Sequence, residues 1–211
     1  MINIFNRILV LAPHTDDGEL GCGGTISKLI SKGAEVFYLA FSAAEDSVPK
    51  DFPRDTLRKE AKLSTSCLGI KEKNCLVLDY KVRVFKSHRQ EILDDMIKVR
   101  NEFYPDLVIV PSSYDNHQDH EVINNEAKRA FKNISIIGYE LPWNNSKFSH
   151  DLFVELDDKD LLKKIEAVSK YETQKFRKYS SENFLRSLAT LRGVQINKEF
   201  AESFEVVRLI T

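Results

Sequence analysis

The stretch RILVLAPHTDDGELGCGGTI, residues 7–26, carries the strongest indication of the fold. Its first six residues, 7–12, form a short apolar run that is typical of a strand buried on both faces of a parallel sheet. A helix is predicted over about 21–31, where apolar side chains recur at helical spacing, and Gly33 fits a C-terminal cap. The polar turn HTDD lies between the two elements. A buried strand followed by a turn and a helix is the opening of a βαβ unit.

The alternation of strands and helices continues as far as residue 141. The remaining predicted strands cover residues 35–41, 74–80, 106–111 and 134–141, and the predicted helices cover about 54–68, 87–103 and 121–131. This rhythm predicts an α/β fold with a mostly parallel sheet.

The rhythm breaks after Pro142. The remaining chain contains FVEL at 153–156, a predicted helix over about 158–177, a polar SSEN turn at 180–183 and a final FEVVRLI strand at 204–210. Because there is no linker-like stretch and no repeat, we expect one domain, residues 1–211, with a C-terminal elaboration.

Composition and charge exclude several classes of protein. The 31 basic and 32 acidic residues leave a net charge of −1, which gives no electrostatic reason to expect nucleic acid or an anionic membrane as a partner. No apolar run approaches the roughly 20 residues of a spanning helix, and the N-terminus lacks the features of a signal peptide. Cys22, Cys67 and Cys75 are odd in number and show no CxxC spacing. They are typical of free thiols in a reducing compartment, so we expect a cytoplasmic protein without membrane insertion.

Two polar segments follow apolar strands at their C-terminal ends: APHTDD at 12–17 and DNHQDH at 115–120. Ligands of open parallel sheets bind beyond the carboxyl ends of the strands, where the strand order reverses. With the order 3-2-1-4-5, the first and fourth strands are neighbours at that point, and the two segments face each other across one crevice. Three of the five histidines of the chain lie in these segments, which indicates a metal site.

A catalytic zinc has three protein ligands of imidazole or carboxylate type and one open position. The candidates for these three ligands are His14, Asp17 and His120. The remaining polar side chains, Asp16, His117 and Asp119, are then available for acid–base work. A structural interpretation stays open, since Asp16 or Asp17 could cap the following helix. The glycines of GELGCGGTI match neither a Walker A nor a strict GxGxxG pattern, and we favour close helix–sheet packing for them.

APHTDDGELGCGGTI followed by DNHQDH resembles the signatures of the PIG-L/LmbE-like deacetylases, which are approximately AHPDDE-x-x-x-G-x-G-G and HPDH. The resemblance extends to EAKLSTSCLGI, to YELPW and to the closing RGVQINKEFAESFEVVR, so it covers nearly the whole chain. It implies a Rossmann-like sheet in the order 3-2-1-4-5 flanked by helices. It also implies a zinc-dependent hydrolase of linear amides that removes the N-acetyl group from N-acetylglucosamine attached to another moiety.

Carried over position by position, the resemblance implies three metal ligands: His14, Asp17 and His120. Asp16 matches the general base that takes a proton from the attacking water. His117 matches the histidine that stabilises the oxyanion or protonates the leaving amine. Asp119 matches a carboxylate that orients a neighbouring histidine.

Two positions depart from the family pattern. Thr15 stands where the family has proline, and Gly18 stands where glutamate is usual, with Glu19 one position along. Neither change removes a residue of the implied mechanism, but both put the geometry of substrate binding in doubt. Iron, manganese or cobalt in place of zinc stays open, because these ligand types discriminate poorly among the metals. The number of subunits is open as well, a homo-oligomer included.

The expected partner is a small-molecule amino-sugar substrate. Arg58, Arg83 and Arg192 are candidates to contact sugar hydroxyls or an attached phosphate or carboxylate, although each of them alone is also typical of a solvated surface arginine. Trp143 fits either a stacking surface for a sugar ring or a packing residue, and Glu202 has no predicted role. Two other functions stay open: hydrolysis of another N-acyl amide, and binding of a sugar or nucleotide without catalysis. A purely structural zinc is a weaker alternative, because neither segment contains cysteine.

Overall fold

The computed structural model describes residues 2–210, which fold around one seven-stranded sheet flanked by helices. The strands are β1 (Arg7–His14), β2 (Glu35–Ser42), β3 (Cys75–Val77), β4 (Leu107–Pro111), β5 (Ser135–Tyr139), β6 (Leu152–Leu156) and β7 (Phe200–Arg208). The helices are α1 (Asp17–Ser31), α2 (Thr56–Leu68), α3 (Arg89–Phe103), α4 (Gln118–Ala130), α5 (Asp158–Ser169) and α6 (Glu182–Val194). The strands lie in the order β3-β2-β1-β4-β5-β7-β6, so the predicted order of the first five is confirmed.

The first five strands are parallel, and the last two are antiparallel to their neighbours. β1 lies in the middle of the parallel part, where Val10 pairs with Tyr38 of β2 on one side and with Ile109 of β4 on the other. Because β1 and β4 are parallel neighbours, they end at the same edge of the sheet. The loops that follow them therefore start side by side.

β1 separates two apolar layers, because its side chains alternate between the faces of the sheet. Ile8 and Val10 pack in a layer with residues of α1, α5 and α6, whereas Leu9 and Leu11 pack in a layer with residues of α3 and α4. All four side chains are fully buried. Helices cover both faces of the sheet, which explains why β1 is a continuous apolar run without alternation.

α1 begins at Asp17, earlier than predicted, and it is interrupted at Cys22, whose φ of −144° and ψ of 22° are not helical. Glycines let this helix lie close to the sheet. A Cβ at Gly21 would be 2.3 Å from the ring of Tyr139, and one at Gly24 would be 2.4 Å from a leucine side chain of β6. The helix–sheet packing expected of the glycines is confirmed for Gly21 and Gly24, whereas Gly23 packs against Lys164 of α5.

The interruption in α1 is stabilised by Glu202 of β7. Its carboxylate accepts the backbone N–H of Gly24 at 3.0 Å and that of Thr25 at 2.7 Å. It also accepts a hydrogen bond from Nζ of Lys164 at 2.7 Å, and both members of this ion pair are buried. Glu202 thus joins α1 to β7 and α5, which gives a structural role to a residue that had no predicted one.

The C-terminal part departs from the prediction. The helix predicted over 158–177 ends at Ser169. The SSEN segment begins α6 and is not a turn, because the hydroxyl of Ser181 accepts the backbone N–H of Phe184 as an N-cap. The last strand begins at Phe200, earlier than predicted, and pairs with both β5 and β6. Within residues 2–210, no helix combines the length and apolar character needed to cross a membrane.

Candidate metal centre and active site

The segments APHTDD and DNHQDH meet at the C-terminal edge of the sheet. His14 is the last residue of β1, and Asp17 is the first residue of α1. The second segment lies between β4 and α4, with His117 as the N-cap of α4 and His120 in its first turn. Because β1 and β4 are neighbours, the two segments come into contact although His14 and Asp119 are 105 positions apart in sequence.

Three side chains form a nearly equilateral triangle of metal-binding atoms. Nδ1 of His14 lies 3.2 Å from Oδ2 of Asp17 and 3.3 Å from Nε2 of His120, and the latter two atoms are 3.2 Å apart. In a tetrahedral zinc site with bonds of roughly 2.0–2.1 Å, neighbouring ligand atoms lie about 3.3 Å apart. The donor set therefore fits a zinc-sized ion. All three residues line one cavity, as a site with an open position requires.

Each imidazole of the triangle contacts a further carboxylate through its other nitrogen. Nε2 of His14 lies 3.0 Å from Oδ2 of Asp119, and Nδ1 of His120 lies 2.7 Å from Oδ2 of Asp115. If these nitrogens carry the protons, the other nitrogen of each neutral ring presents a lone pair to the centre of the triangle. Asp119 lies beside a histidine, where the resemblance puts it, whereas Asp115 had no predicted role.

The charges around the triangle favour a cation at its centre. Burial would lower the pKa of His120, but the charge of Asp17 and a hydrogen bond to Asp115 outweigh it and raise the pKa to about 10. Burial also opposes protonation of His14, yet its hydrogen bonds to Asp119 and Asp17 raise its pKa. For Asp17, burial would raise the pKa, but the two neighbouring histidines lower it. The site thus takes up positive charge, as protons or as a metal ion.

Asp16 lines the cavity beside the triangle. Its backbone is left-handed, with a φ of 85°, a conformation that aspartate adopts more readily than most residues. It is the N-cap of α1 by position, but its side chain makes no capping hydrogen bond, so the capping interpretation is wrong for this carboxylate. Burial and the charges of Asp17 and Glu19 raise the pKa of Asp16 well above its usual value. Because its side chain has no capping partner and binds a proton more readily than a free aspartate, Asp16 can accept a proton in the cavity.

His117 lies next to both histidines of the triangle, with its ring centroid 4.9 Å from that of His14 and 4.6 Å from that of His120. Its Nδ1 accepts the backbone N–H of Asp119 at 3.2 Å, so the neutral ring carries its proton on Nε2. Burial and the two neighbouring imidazoles lower the pKa of His117 and keep it neutral. The ligand nitrogens of the three histidines lie within 4.8 Å of one another, which makes His117 an alternative third ligand. The shorter distances favour Asp17.

The triangle opens into a cavity of about 320 Å³. Its walls include Arg83, Trp143, Arg177 and Tyr179. Trp143 stacks on Tyr179 with ring centroids 4.0 Å apart and an interplanar angle of 9°. Trp143 remains 37% exposed, so this aromatic pair offers a flat apolar surface beside the metal centre.

Two of the three predicted arginine contacts lie outside this cavity. Nη1 of Arg58 donates to the carbonyl of Val77 at 2.6 Å, and Nε of Arg192 donates to Oε2 of Glu140 at 2.9 Å. Both guanidinium groups are thus engaged within the protein. Arg177 was missed because it falls in the segment predicted as the end of a long helix.

The departure from the family pattern at position 18 has a structural reason. A Cβ at Gly18 would lie 2.6 Å from the ring of Tyr38, which occupies the space that a side chain would need. Glu19 is fully buried and accepts hydrogen bonds from the hydroxyls of Tyr38 and Tyr171, the latter at 2.7 Å. A buried carboxylate is therefore present one position later, where it joins α1 to β2 and to the segment after α5.

Known proteins resemble the chain in sequence. A family profile described as PIG-L: GlcNAc-PI de-N-acetylase matches residues 9–131. The diacetylchitobiose deacetylase of Thermococcus kodakarensis is 30% identical over 127 residues, which are 56% of this chain and 46% of that protein. The match therefore spans about half the length of this relative.

Solved structures resemble the chain in fold. The zinc-inhibited form of a teicoplanin deacetylase has a TM-score of 0.78 at 21% identity, with 94% of this chain and 97% of that chain covered. The 4-carboxy-2-hydroxymuconate hydratase of Pseudomonas putida has a TM-score of 0.80 at 18% identity, with 98% of each chain covered. At these identities the similarity shows the fold alone. Since this fold carries hydratases as well as deacetylases, the reaction has to be inferred from the site.

The match to the family profile identifies the family, which the similarity in fold alone does not. It covers more than half of the 211 residues and includes both segments that form the triangle. The chain belongs to the PIG-L family of de-N-acetylases.

Proposed function

We propose that this chain is a metal-dependent N-deacetylase, formed as one domain by residues 1–211, which hydrolyses the acetamido group of an N-acetylated amino sugar. The observation that carries the proposal is the triangle of metal-binding atoms beside two acid–base groups, Asp16 and His117, in one cavity. A protein that only binds a sugar needs neither group. Zinc is the proposed ion, because two imidazoles and a carboxylate at this spacing suit its tetrahedral geometry. The free thiols of all three cysteines support a cytoplasmic site of action, which is part of the proposal.

The first step is the attack of water on the acetyl carbon. His14, Asp17 and His120 would hold the metal ion, which would supply Lewis-acid chemistry by polarising the amide carbonyl and lowering the pKa of nearby water. Asp16 takes a proton from the water as the new C–O bond forms, and its raised pKa brings it closer to the range in which a general base works.

His117 stabilises the oxyanion that develops on the acetyl oxygen. With Nδ1 accepting the N–H of Asp119, the neutral ring has its N–H donor on Nε2. Preorganised donors of this kind typically contribute about 10²–10³ in turnover. The protonated Asp16 then gives its proton to the amine nitrogen as the C–N bond breaks. The products are acetic acid and the free amino sugar, and Asp16 returns to its ionised form. The acid then loses its proton to the released amine or to solvent and leaves as acetate.

Acetate release from a panel of N-acetyl compounds tests the proposal, together with metal analysis of the purified protein. The panel contains N-acetylglucosamine, its glycosides, diacetylchitobiose and acetamides without a sugar. We expect release from amino sugars, about one metal ion per chain, and loss of turnover on chelation that zinc restores. Equal rates on simple acetamides would favour the alternative of another N-acyl substrate. Metal-loaded protein that releases acetate from none of these compounds would contradict the proposal.

A further inference from the structure

We propose that the cavity binds an anionic substituent of the amino sugar, a phosphate or a carboxylate, and that Arg83 and Arg177 bind it. This inference rests on the proposed deacetylase function and names the class of its substrate.

Among the residues that the structure describes, Arg83 and Arg177 differ from the other arginines in that their guanidinium groups have no hydrogen-bond or ion-pair partner. Within residues 2–210, every other arginine donates to a carboxylate or a carbonyl oxygen of the chain. The two exceptions are also the two arginines that line the cavity of the metal centre. Free guanidinium groups are therefore concentrated at the site where a substrate binds.

The backbone of Arg83 is held by the metal centre itself. Its φ of 69° is left-handed, which is unfavourable for a residue with a long side chain. Its N–H donates to Oδ2 of Asp119 at 2.6 Å, and its carbonyl accepts from Nε2 of Gln118 at 2.8 Å. The same Oδ2 atom of Asp119 contacts His14. The turn that carries this guanidinium is thus fixed relative to the triangle.

Arg177 lies beside aromatic rings at the edge of the cavity. Its Cζ is 5.9 Å from the ring centroid of Tyr179, which lines the cavity and stacks on Trp143, and 4.9 Å from that of Phe176, an exposed residue outside the cavity lining. Contact of a guanidinium with aromatic rings restrains its plane and leaves its N–H groups available for hydrogen bonds. Arg177 can therefore bind an oxyanion at low cost in side-chain ordering.

The other charges of the cavity do not neutralise this pair. The acidic residues that line it are Asp17 and Asp16, the second of which the charge of Arg177 reaches, and a divalent ion held in the triangle would balance their two charges. A second cavity, which shares Ala44 and Val82 with this one, provides a contrast. Each of its three basic side chains is paired with a carboxylate: Arg54 and Lys81 with Asp46, and Arg58 with Asp79. The unbalanced positive charge is thus specific to the catalytic cavity, and planar guanidinium groups match the oxygens of phosphate and carboxylate.

The test uses three glycosides of N-acetylglucosamine that differ in one substituent: the neutral methyl glycoside, the 1-phosphate and the carboxymethyl glycoside. Acetate release by the zinc-loaded protein gives kcat/KM for each, and the readout is the ratio of an anionic substrate to the neutral one. We expect a wild-type ratio of about tenfold or more for at least one anion, since hydrogen bonds to charged groups are strong. The phosphate and carboxymethyl arms show which anion is preferred.

Variants assign this ratio to the two arginines. In R83Q/R177Q the ratio should fall towards one, whereas R83K/R177K should retain part of it, because the charge is kept and the bidentate geometry is lost. R54Q removes an arginine of the second cavity that is paired with Asp46, and it should keep the wild-type ratio.

A wild-type ratio near one, or a high ratio that persists in R83Q/R177Q, would overturn the inference and leave the deacetylase proposal standing. If none of the three compounds is hydrolysed, the deacetylase proposal fails. Titration calorimetry on the zinc-loaded protein then measures the affinity for each compound and tests the anion site separately. Tighter binding of the 1-phosphate than of the methyl glycoside, abolished in R83Q/R177Q, would support the anion site. Equal affinities would overturn it.

Discussion

Asp16 and Asp17 are adjacent carboxylates in different environments. Asp17 lies 3.2 Å from nitrogens of both His14 and His120, and these imidazoles lower its pKa in spite of its burial. Asp16 makes no capping hydrogen bond, and burial raises its pKa. Neighbouring carboxylates whose pKa values are pushed apart can divide two tasks between them. Here the ionised one suits the metal, and the other suits proton transfer.

Asp16→Asn should therefore reduce turnover by about 10²–10⁴ without loss of metal, because the amide cannot accept the proton and the ligands are unchanged. Acetate release and metal analysis of the same sample measure the two effects. Asp51→Asn, at an exposed aspartate outside the cavity, is the matched control. Near-normal turnover of the Asp16 variant with full metal content would show that another group is the base.

Asp115→Asn should weaken zinc binding by about 10–100-fold, as substitutions of carboxylates behind metal-binding histidines do. Oδ2 of Asp115 lies 2.7 Å from Nδ1 of His120, and an amide in its place loses the charge that stabilises the hydrogen bond. Competition with a chromophoric chelator measures the affinity, and Asp51→Asn again serves as the control. Wild-type affinity in the Asp115 variant would mean that His120 needs no support from this carboxylate.

The triangle was easier to predict than the residues around it. Histidines are scarce in this chain, and those of the triangle stand at recognisable positions, at the end of β1 and in the first turn of α4. The contact of Asp115 depends on a turn in which one oxygen binds the N–H of His117 and the other reaches His120. The cavity position of Arg177 depends on the segment between α5 and α6. Such irregular backbone leaves no periodic pattern in the sequence.

At the scale of elements, the approach of α1 to the sheet positions Asp17. Gly21→Ala should lower the free energy of unfolding by about 1–3 kcal/mol, since overpacking of this size is typical when backbone or a ring must move. The added Cβ would lie 2.3 Å from the ring of Tyr139. Gly23→Ala is the comparison variant and should cost less, because its Cβ would lie 3.1 Å from Cγ of Lys164 and so meet a milder contact than the one at Gly21. Urea denaturation measures both, and equal stabilities would mean that α1 can move away from the sheet at little cost.

The strands and their order could be predicted from the sequence where the strands are buried on both faces of the sheet. β1, β2 and β4 are covered on both faces, so their apolar runs were recognisable. The first half of β7 was missed because Glu202 and Ser203 interrupt its apolar character. In the structure both are buried and satisfied, Glu202 by Lys164 and Ser203 by a hydrogen bond to Glu140. Such long-range pairing cannot be inferred from composition.

At the scale of the whole molecule, the proposed metal ion joins three separate elements through β1 (His14), α1 (Asp17) and α4 (His120). An ion that binds only the folded chain stabilises it by mass action, by about 2.7 kcal/mol when free metal is 100 times its dissociation constant. For a chain of this length, each kcal/mol corresponds to about 2–4 °C in melting temperature. Chelation should therefore lower the Tm by roughly 5–10 °C from that zinc-buffered state.

Calorimetry of the wild type and of His120→Gln, each with buffered zinc and with a chelator, tests this expectation. The variant should show a much smaller difference between the two conditions, because one of three ligands is missing and the remaining pair binds zinc more weakly. Its Tm in chelator controls for any effect of the substitution on the metal-free fold. If chelation lowered the Tm of the variant as much as that of the wild type, the stabilising ion would have to bind away from the triangle. If the Tm of the wild type were the same with zinc and with chelator, the folded protein would not bind zinc, and the proposed metal centre would be wrong.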